Sequence, residues 1–568
     1  MPFRYAVIVS GPKKICIIAI LGLMVIAIPS GIWFGRPAYH RYKEKRAVNQ
    51  AQVFINKGDL RSAILSLRLA IALNSSNVTS TRMMADVFDQ GHSPAALAWR
   101  RRVSELEPNL ENKIILAACA LRYEKPPFLI ADSTLQSIAA QGETNTGYHL
   151  VASQLALKLN RLADAEAHLK AAARLDPTNH LHQLNLATVR LQSADTNIAE
   201  GARRDLASLT SEPTLGLPAL RSLTADSITR HQLPEAEDYS RRLAAHAEAT
   251  LEDRLLHLTA LSESKSVDFS NALARVEQEC GTNSIKLAQT VSWMNAHGLA
   301  RDALSWMASL PDSIRNAPPA SLAEADCYMT LGDWPGLQAR LVGHRWEEQE
   351  FLRLAMLTRS LREQGQNEMA GRNWRLSLSA ASARPEFLLV LLQLARAWAW
   401  DDETKELLWV IVGKLPSEEW PLENLRRIYM IKQDSEGLYR VYQALLEKHP
   451  HSAELKNNVA TLGLLLGHNR ARSAELAREV YEVGKTNATL VSTYAFSLYN
   501  EGKTTEALAL MQALPEADLQ NPEVALYYGL LLASAGDVGK AEAYFVAAEK
   551  GHPLPQERAL LAKARQRR

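Results

Sequence analysis

The chain has 568 residues, 47% apolar and 22% charged, a globular composition that excludes a disordered or collagen-like polypeptide and has room for several domains. Its formal net charge of +2 comes from 64 basic and 62 acidic residues; the first 46 residues carry +7, so the remaining 522 sit near −5, against the basic excess of a nucleic-acid-binding domain. Four cysteines, none in a CxxC pair, exclude a disulfide-framed secreted scaffold and argue against a thiolate zinc site.

After a short tail, 1–14, the run Ile15 to Phe34 holds 20 residues without a charged side chain. As a helix it would span roughly 30 Å, the thickness of a bilayer's hydrocarbon core. Lys13 and Lys14 bound it on one side, and Arg36, Arg41, Lys43, Lys45 and Arg46 in the basic segment 35–46 on the other; Trp33 stands at its edge. The expectation is an uncleaved single-pass anchor. A cleaved signal peptide, using Val25 and Ala27, and a buried core helix are the alternatives. Five basic residues after the span against three before it favour, by charge alone, a cytoplasmic location for the remainder of the chain. Long domains translocate regardless of that bias, and a short tail before one span also suits an exporting signal-anchor. The expected placement is a cytoplasmic (inner) membrane with the bulk of the chain outside the cytoplasm.

From residue 44 onward one pattern repeats. Gly536 and Ala541, then Phe545, Ala548 and Pro553, follow Ala525, Gly529 and Leu532. This predicts two amphipathic helices that turn at Gly536 and close at Pro553. Gly529 and Ala541 are small enough to let the helices approach where they cross, and Phe545 fills the adjoining groove. The spacing recurs at Gly58 with Ala63 and Ala70, Gly91 with Ala96, Asn160 with Ala165 and Ala172, Gly298 with Ala303, Gly365 with Ala370 and Trp374, and Gly502 with Ala507. Gly332 and Gly467 keep the phase, and turn-like stretches near Lys125, Ala194, His231, Lys265, Asp401 and Asp434 fill the gaps. That makes 15 turns over 478 residues, a mean near 34.

This spacing resembles the tetratricopeptide repeat, whose period is 34 residues. The resemblance is strongest at 44–77, 146–179 and 522–555 and weakest near 110–140, 245–275 and 380–415, where the small residues are missing. The whole looks like a bacterial membrane-anchored tetratricopeptide protein. The resemblance implies an all-α fold: an α-solenoid of about 15 helical hairpins behind one transmembrane helix, divided as 47–270, a tryptophan-rich degenerate stretch 271–415, repeats 416–555, and a basic tail 556–568. It implies a concave groove lined by the first helix of each hairpin that takes an extended peptide or a helix. In peptide-binding members an asparagine commonly bonds the ligand backbone; here Asn185 and Asn458, two residues before Ala187 and Ala460, hold that place, with Lys456 beside the second to meet an acidic ligand.

Other candidates are weaker. Nine of the eleven tryptophans lie between Trp293 and Trp420, and of these Trp398 and Trp400, two apart on one expected helix, cannot share a face, so one is a groove candidate. Gly484-Lys485-Thr486 and Gly502-Lys503-Thr504 lack the upstream glycine of a phosphate loop and read as helix ends. His180 and His182 point to different helix faces, and Asp401-Asp402-Glu403 and Glu347-Glu348-Gln349-Glu350 read as solvated turns. No catalytic, metal or cofactor constellation stands out. The expected function is a non-enzymatic membrane-tethered scaffold for protein or peptide partners in envelope, secretion or polysaccharide-export assembly, without nucleic-acid or small-molecule substrates. A chaperone-like factor holding client polypeptides at the membrane is the alternative, and an enzyme would need a non-repeat insert somewhere in 245–415.

Overall fold

A computed structural model describes residues 39–566. The expected anchor at 15–34 and the tail before it lie outside the described residues; among the described residues no helix is long and apolar enough to cross a membrane. All regular elements among them are helical, in antiparallel pairs from 39–56 with Leu60–Leu73 to Pro522–Ser534 with Val538–Glu549. The chain divides into two compact units between Glu279 and Cys280. Its described residues form an all-α array of successive helical hairpins.

The repeat is written most clearly in the turns. At Gly58, His92, Asn160, His231, Lys265, Gly298, Gly332, Gly365, Ala399, Gln433, Gly467, Gly502 and Gly536 the backbone adopts a positive φ. In each case the next residue's N–H returns to a carbonyl five residues back, as in Asp59 to Phe54 at 2.9 Å, Trp400 to Ala395 at 2.9 Å and Asp537 to Leu532 at 3.0 Å. This left-handed cap satisfies carbonyls that the first helix leaves orphaned and reverses the chain. The expected turn near Lys125 differs, with Phe128 at φ 59, and the one near Ala194 has no left-handed residue. The turn expected at Gly91 centres on His92, and those near Asp401 and Asp434 on Ala399 and Gln433.

Five residues after most turns a small side chain is sealed between the paired helices. Ala63, Ala165, Ala236, Ala303, Ala370, Ala507 and Ala541 are all buried. In the last hairpin Phe545 lies against Gly529, where an added Cβ would stand 2.7 Å from the Phe545 ring. Stretches that lack the small residues are hairpins all the same. Around 380–415 the helices Pro385–Ala397 and Asp401–Lys414 pair through Leu388, Leu391, Leu407 and Ile411, so larger aliphatic side chains replace the alanine seam.

The first helices of successive hairpins also touch one another. In the second unit Ala453–Leu466 contacts Ala488–Asn500, which contacts Pro522–Ser534. Their shared face forms one wall of a groove. The expected basic tail is an ordered helix, Pro555–Gln566, with Leu561 and Ala564 buried, and it packs against both Pro522–Ser534 and Ala453–Leu466. Rather than only capping the last hairpin, the chain's end lies back along this groove.

Candidate functional site

Three side-chain to side-chain hydrogen bonds fasten the returning tail, and a fourth, inside it, orders its first turn. Ser435 Oγ donates to Gln556 Oε1 at 2.5 Å, and Arg558 Nη1 donates to Gln433 Oε1 at 3.0 Å, links across more than 120 residues. The phenol of Tyr527 donates to Glu557 Oε1 at 2.7 Å, and the Leu554 N–H donates to Glu557 Oε2 at 2.8 Å. Further along, Arg565 pairs with Glu542 and Glu549. Burial, and then the Glu557 carboxylate, push the Tyr527 phenol well above its ordinary pKa, so it stays a hydrogen-bond donor.

Between the tail and the first helices lies a cavity of about 350 Å³. Leu462, Leu465 and Leu526 supply apolar wall, and Asn457, Asn458 and Thr461 supply polar wall from one helix. Thr461 Oγ1 meets Thr493 Oγ1 at 2.9 Å and also donates to the Asn457 carbonyl, so the hydroxyls are already engaged. Asn458 is half-buried and its amide has no partner among the described residues. Asn457 is 5% exposed, and its buried Oδ1 accepts no hydrogen bond.

The other residues nominated from sequence fall elsewhere. Lys456 is on the helix of Asn458 but turned to the next helix, where its Nζ pairs with Glu479 Oε2 at 2.6 Å; that hydrogen bond first of all holds the Glu479 carboxyl below its usual range. Asn185 is in the first unit, half-buried on His180–Arg190, and its amide has no partner among the described residues.

Trp398 and Trp400 do not share a helix, which corrects the expectation that one helix carries both. Trp398 caps the end of Pro385–Ala397, Ala399 takes φ 56, and Trp400 opens Asp401–Lys414. The reversal brings the rings together, 4.8 Å between centroids. Trp400 is buried and packs edge-on to Trp374 at 5.8 Å, with the Arg362 guanidinium 4.1 Å from its ring centre. Arg359 lies 5.1 Å from Trp398 and 5.5 Å from Trp334. This arrangement holds neighbouring hairpins together through cation–π contacts.

The cavity contributors that sequence reasoning missed are Asn457, Tyr527 and Glu557. A signal for the first was present. Asn457, Ala460 and Leu464 recur at helical spacing on the buried face, so an amide there occupies a core position. For Glu557 the contact depends on the tail's return, which local periodicity does not encode.

No family model and no curated protein matches this chain. Among solved structures it is similar to one described as "Crystal structure of APC/C hetero-tetramer Cut9-Hcn1", at 14% identity over 84% of this chain and 97% of that one, with a TM-score of 0.28. It is also similar to "Structure of Naa15/Naa10 bound to HypK-THB", at 15% identity over 92% of this chain and 78% of that one, with a TM-score of 0.27. At these scores the fold assignment stands on the hairpins themselves.

Proposed function

We propose that this protein is a non-catalytic scaffold whose groove faces, lined by the first helices of its hairpins, bind protein or peptide partners. In this reading residues 15–34 tether it to a cytoplasmic (inner) membrane, with the repeats outside the cytoplasm and at work in envelope, secretion or export assembly. The observation that carries the binding part is the half-buried, unpartnered amide of Asn458 on a groove wall built by successive first helices. An amide offers a donor and an acceptor together, which suits a peptide backbone. Asn185 has the same character in the first unit.

The test is site-specific photocrosslinking in cells with the full chain. A crosslinker at Asn458 or Asn185 should capture discrete protein adducts, whereas one at the exposed Val483 should not. Equal capture at all three positions, or at none, defeats the binding part. Many adducts of varied size from the two asparagines would favour the client-holding role. The tether is tested separately by alkaline carbonate extraction: the full chain should stay with membranes and a chain lacking residues 1–38 should be released.

A further inference from the structure

We infer that the exposed face of the helix 39–56 is a docking surface for the headgroups of an anionic bilayer. The inference deepens the tether reading of the proposed function and rests on it for one step, the nearness of a membrane. The contact itself is carried by the helix.

Residues 39–46 hold Arg41, Lys43, Lys45 and Arg46 against a single carboxylate, Glu44. All four basic side chains are exposed, and among the described residues none of them pairs with a carboxylate. Glu44 is turned away from them. Its Oε1 accepts from the Asn74 amide at 3.0 Å and from the Asn77 amide, where Leu60–Leu73 passes into Val78–Gln90. Ala47 and Ala51 are sealed and fix which side of the helix faces inward. Opposite them Tyr42, Lys45, Arg46, Asn49 and Val53 line one open hollow. Its side chains are within reach of a partner: Tyr42 is 63% exposed and Val53 51%. Tyr39 is exposed as well, with Lys43 Nζ 4.6 Å from its ring centre.

Chain length and chemistry together select a bilayer as the occupant. Four residues separate Phe34, the end of the uncharged run, from Tyr39. Whatever their path, Tyr39 lies within about 18 Å of that end. With the run across a membrane, the headgroup layer and a Debye length of about 8 Å cover most of that distance. Lysine and arginine clusters beside a span attract anionic lipids, and tyrosine settles at headgroup level with its ring toward the acyl chains. A nucleic-acid duplex fits less well. The basic stretch 39–46 is only about 12 Å long, and residues 47–56 of the same helix carry no charge with which to follow a phosphate backbone.

The test uses the full chain reconstituted into vesicles, with a fluorescent amino acid at Asn49, in the middle of the exposed face, or at Val483 as a reference in the second unit. The vesicles are phosphatidylcholine, alone or mixed with phosphatidylglycerol, each doped with a lipid whose headgroup carries a quenching spin label. Quenching at Asn49 should be at least twofold stronger in the mixed vesicles and fall to the phosphatidylcholine level at high salt; Val483 should respond to neither change. Arg41→Gln, Lys43→Gln, Lys45→Gln and Arg46→Gln together should erase the difference between the two lipids. Arg41→Lys, Lys43→Arg, Lys45→Arg and Arg46→Lys together should keep it, because the attraction needs the charge and not a particular donor geometry. Carbonate extraction of the same vesicles reads the tether separately. A carbonate-resistant chain with equal quenching in both lipids overturns the inference and leaves the tether standing. A chain released by carbonate, yet quenched at Asn49 only by the phosphatidylglycerol vesicles, supports the inference and removes the tether. A lipid contrast indifferent to the glutamine variant overturns the inference. So does capture of polyglutamate by these four residues without any lipid contrast, which would make the partner an acidic protein.

Discussion

The phenol of Tyr527 and the carboxylate of Glu557 are joined at 2.7 Å, and that bond ties the last helix of the chain to the groove face of the last hairpin. Tyr527 sits in the core and Glu557 in the first turn of Pro555–Gln566, where a carboxylate also suits the helix dipole. Tyr527→Phe removes the donor but keeps the ring. Glu557 then loses one of two donors, a cost of about 1.5 kcal/mol. Amide exchange within 555–566 should therefore quicken by roughly tenfold, while exchange in Ala453–Leu466 stays as it was. Unchanged exchange in the tail would mean that the apolar contacts of Leu561 and Ala564 hold it alone.

Two glycines of the same hairpin should fail for different reasons. At Gly529 a methyl would meet the Phe545 ring at 2.7 Å, whereas at Gly536 it would meet nothing within 4 Å, but φ is 93°. Gly529→Ala is a packing conflict worth about 1–3 kcal/mol; Gly536→Ala is a backbone penalty of about 1–2 kcal/mol. Denaturant midpoints will separate them in a Phe545→Leu background. The smaller side chain should relieve most of the Gly529→Ala penalty and none of the Gly536→Ala penalty.

The same physics explains how much of this fold is legible in the sequence. A left-handed turn favours glycine, and the seam between paired helices needs a small residue, so Gly58 with Ala63 or Gly536 with Ala541 announces a hairpin. Where His231, Lys265, Ala399 and Gln433 take the left-handed position, only the 34-residue phase marks the turn. Ala399 shows what is lost: alanine is a strong helix former, so Trp398 and Trp400 read as one helix although the chain reverses between them. Asn458 was legible because the repeat fixes its register on a first helix. Its cavity was not, because the opposing wall is the tail, more than 90 residues further on, and the tail's own pattern says that it is helical but not where it docks.

Glu324 is fully buried and holds two arginines, Arg315 and Arg340, the second at 2.7 Å. Arg340 Nη2 also donates to Asn316 Oδ1 at 2.7 Å and to the Arg315 carbonyl at 3.2 Å. The cluster pins the one-turn helix Asp312–Arg315 onto the following hairpin. Glu324→Ala strands two guanidinium groups and should cost roughly 3–5 kcal/mol. Glu324→Gln keeps an acceptor and should cost less. Replacing all three together, with Arg315→Met, Arg340→Met and Glu324→Leu, should recover much of the loss. A triple variant as unstable as Glu324→Ala would show that the charges do more than satisfy one another.

In the first unit His149 and His168 meet Nδ1 to Nδ1 at 3.0 Å, with room for one proton between them. Burial first, and then the neighbouring His149, hold the His168 imidazole below its ordinary value of 6.5, against an opposing pull from Asp164. Burial, and then Arg241, do the same for His257, whose Nδ1 lies 2.8 Å from Ser240 Oγ. A base with a depressed folded-state pKa binds fewer protons folded than unfolded just below pH 6.5, so the unfolded chain gains as pH falls through that value. These two groups therefore leave stability untouched above about pH 7 and erode it progressively below about pH 6.5. His168→Gln keeps a side chain able to donate to His149 but cannot be protonated. Urea midpoints measured from pH 8 to pH 5 should fall less steeply for this variant than for the parent, with the two curves parallel above pH 7. Parallel curves across the whole range would remove the His149–His168 contact from the acid response and leave it to His257 and the carboxylates.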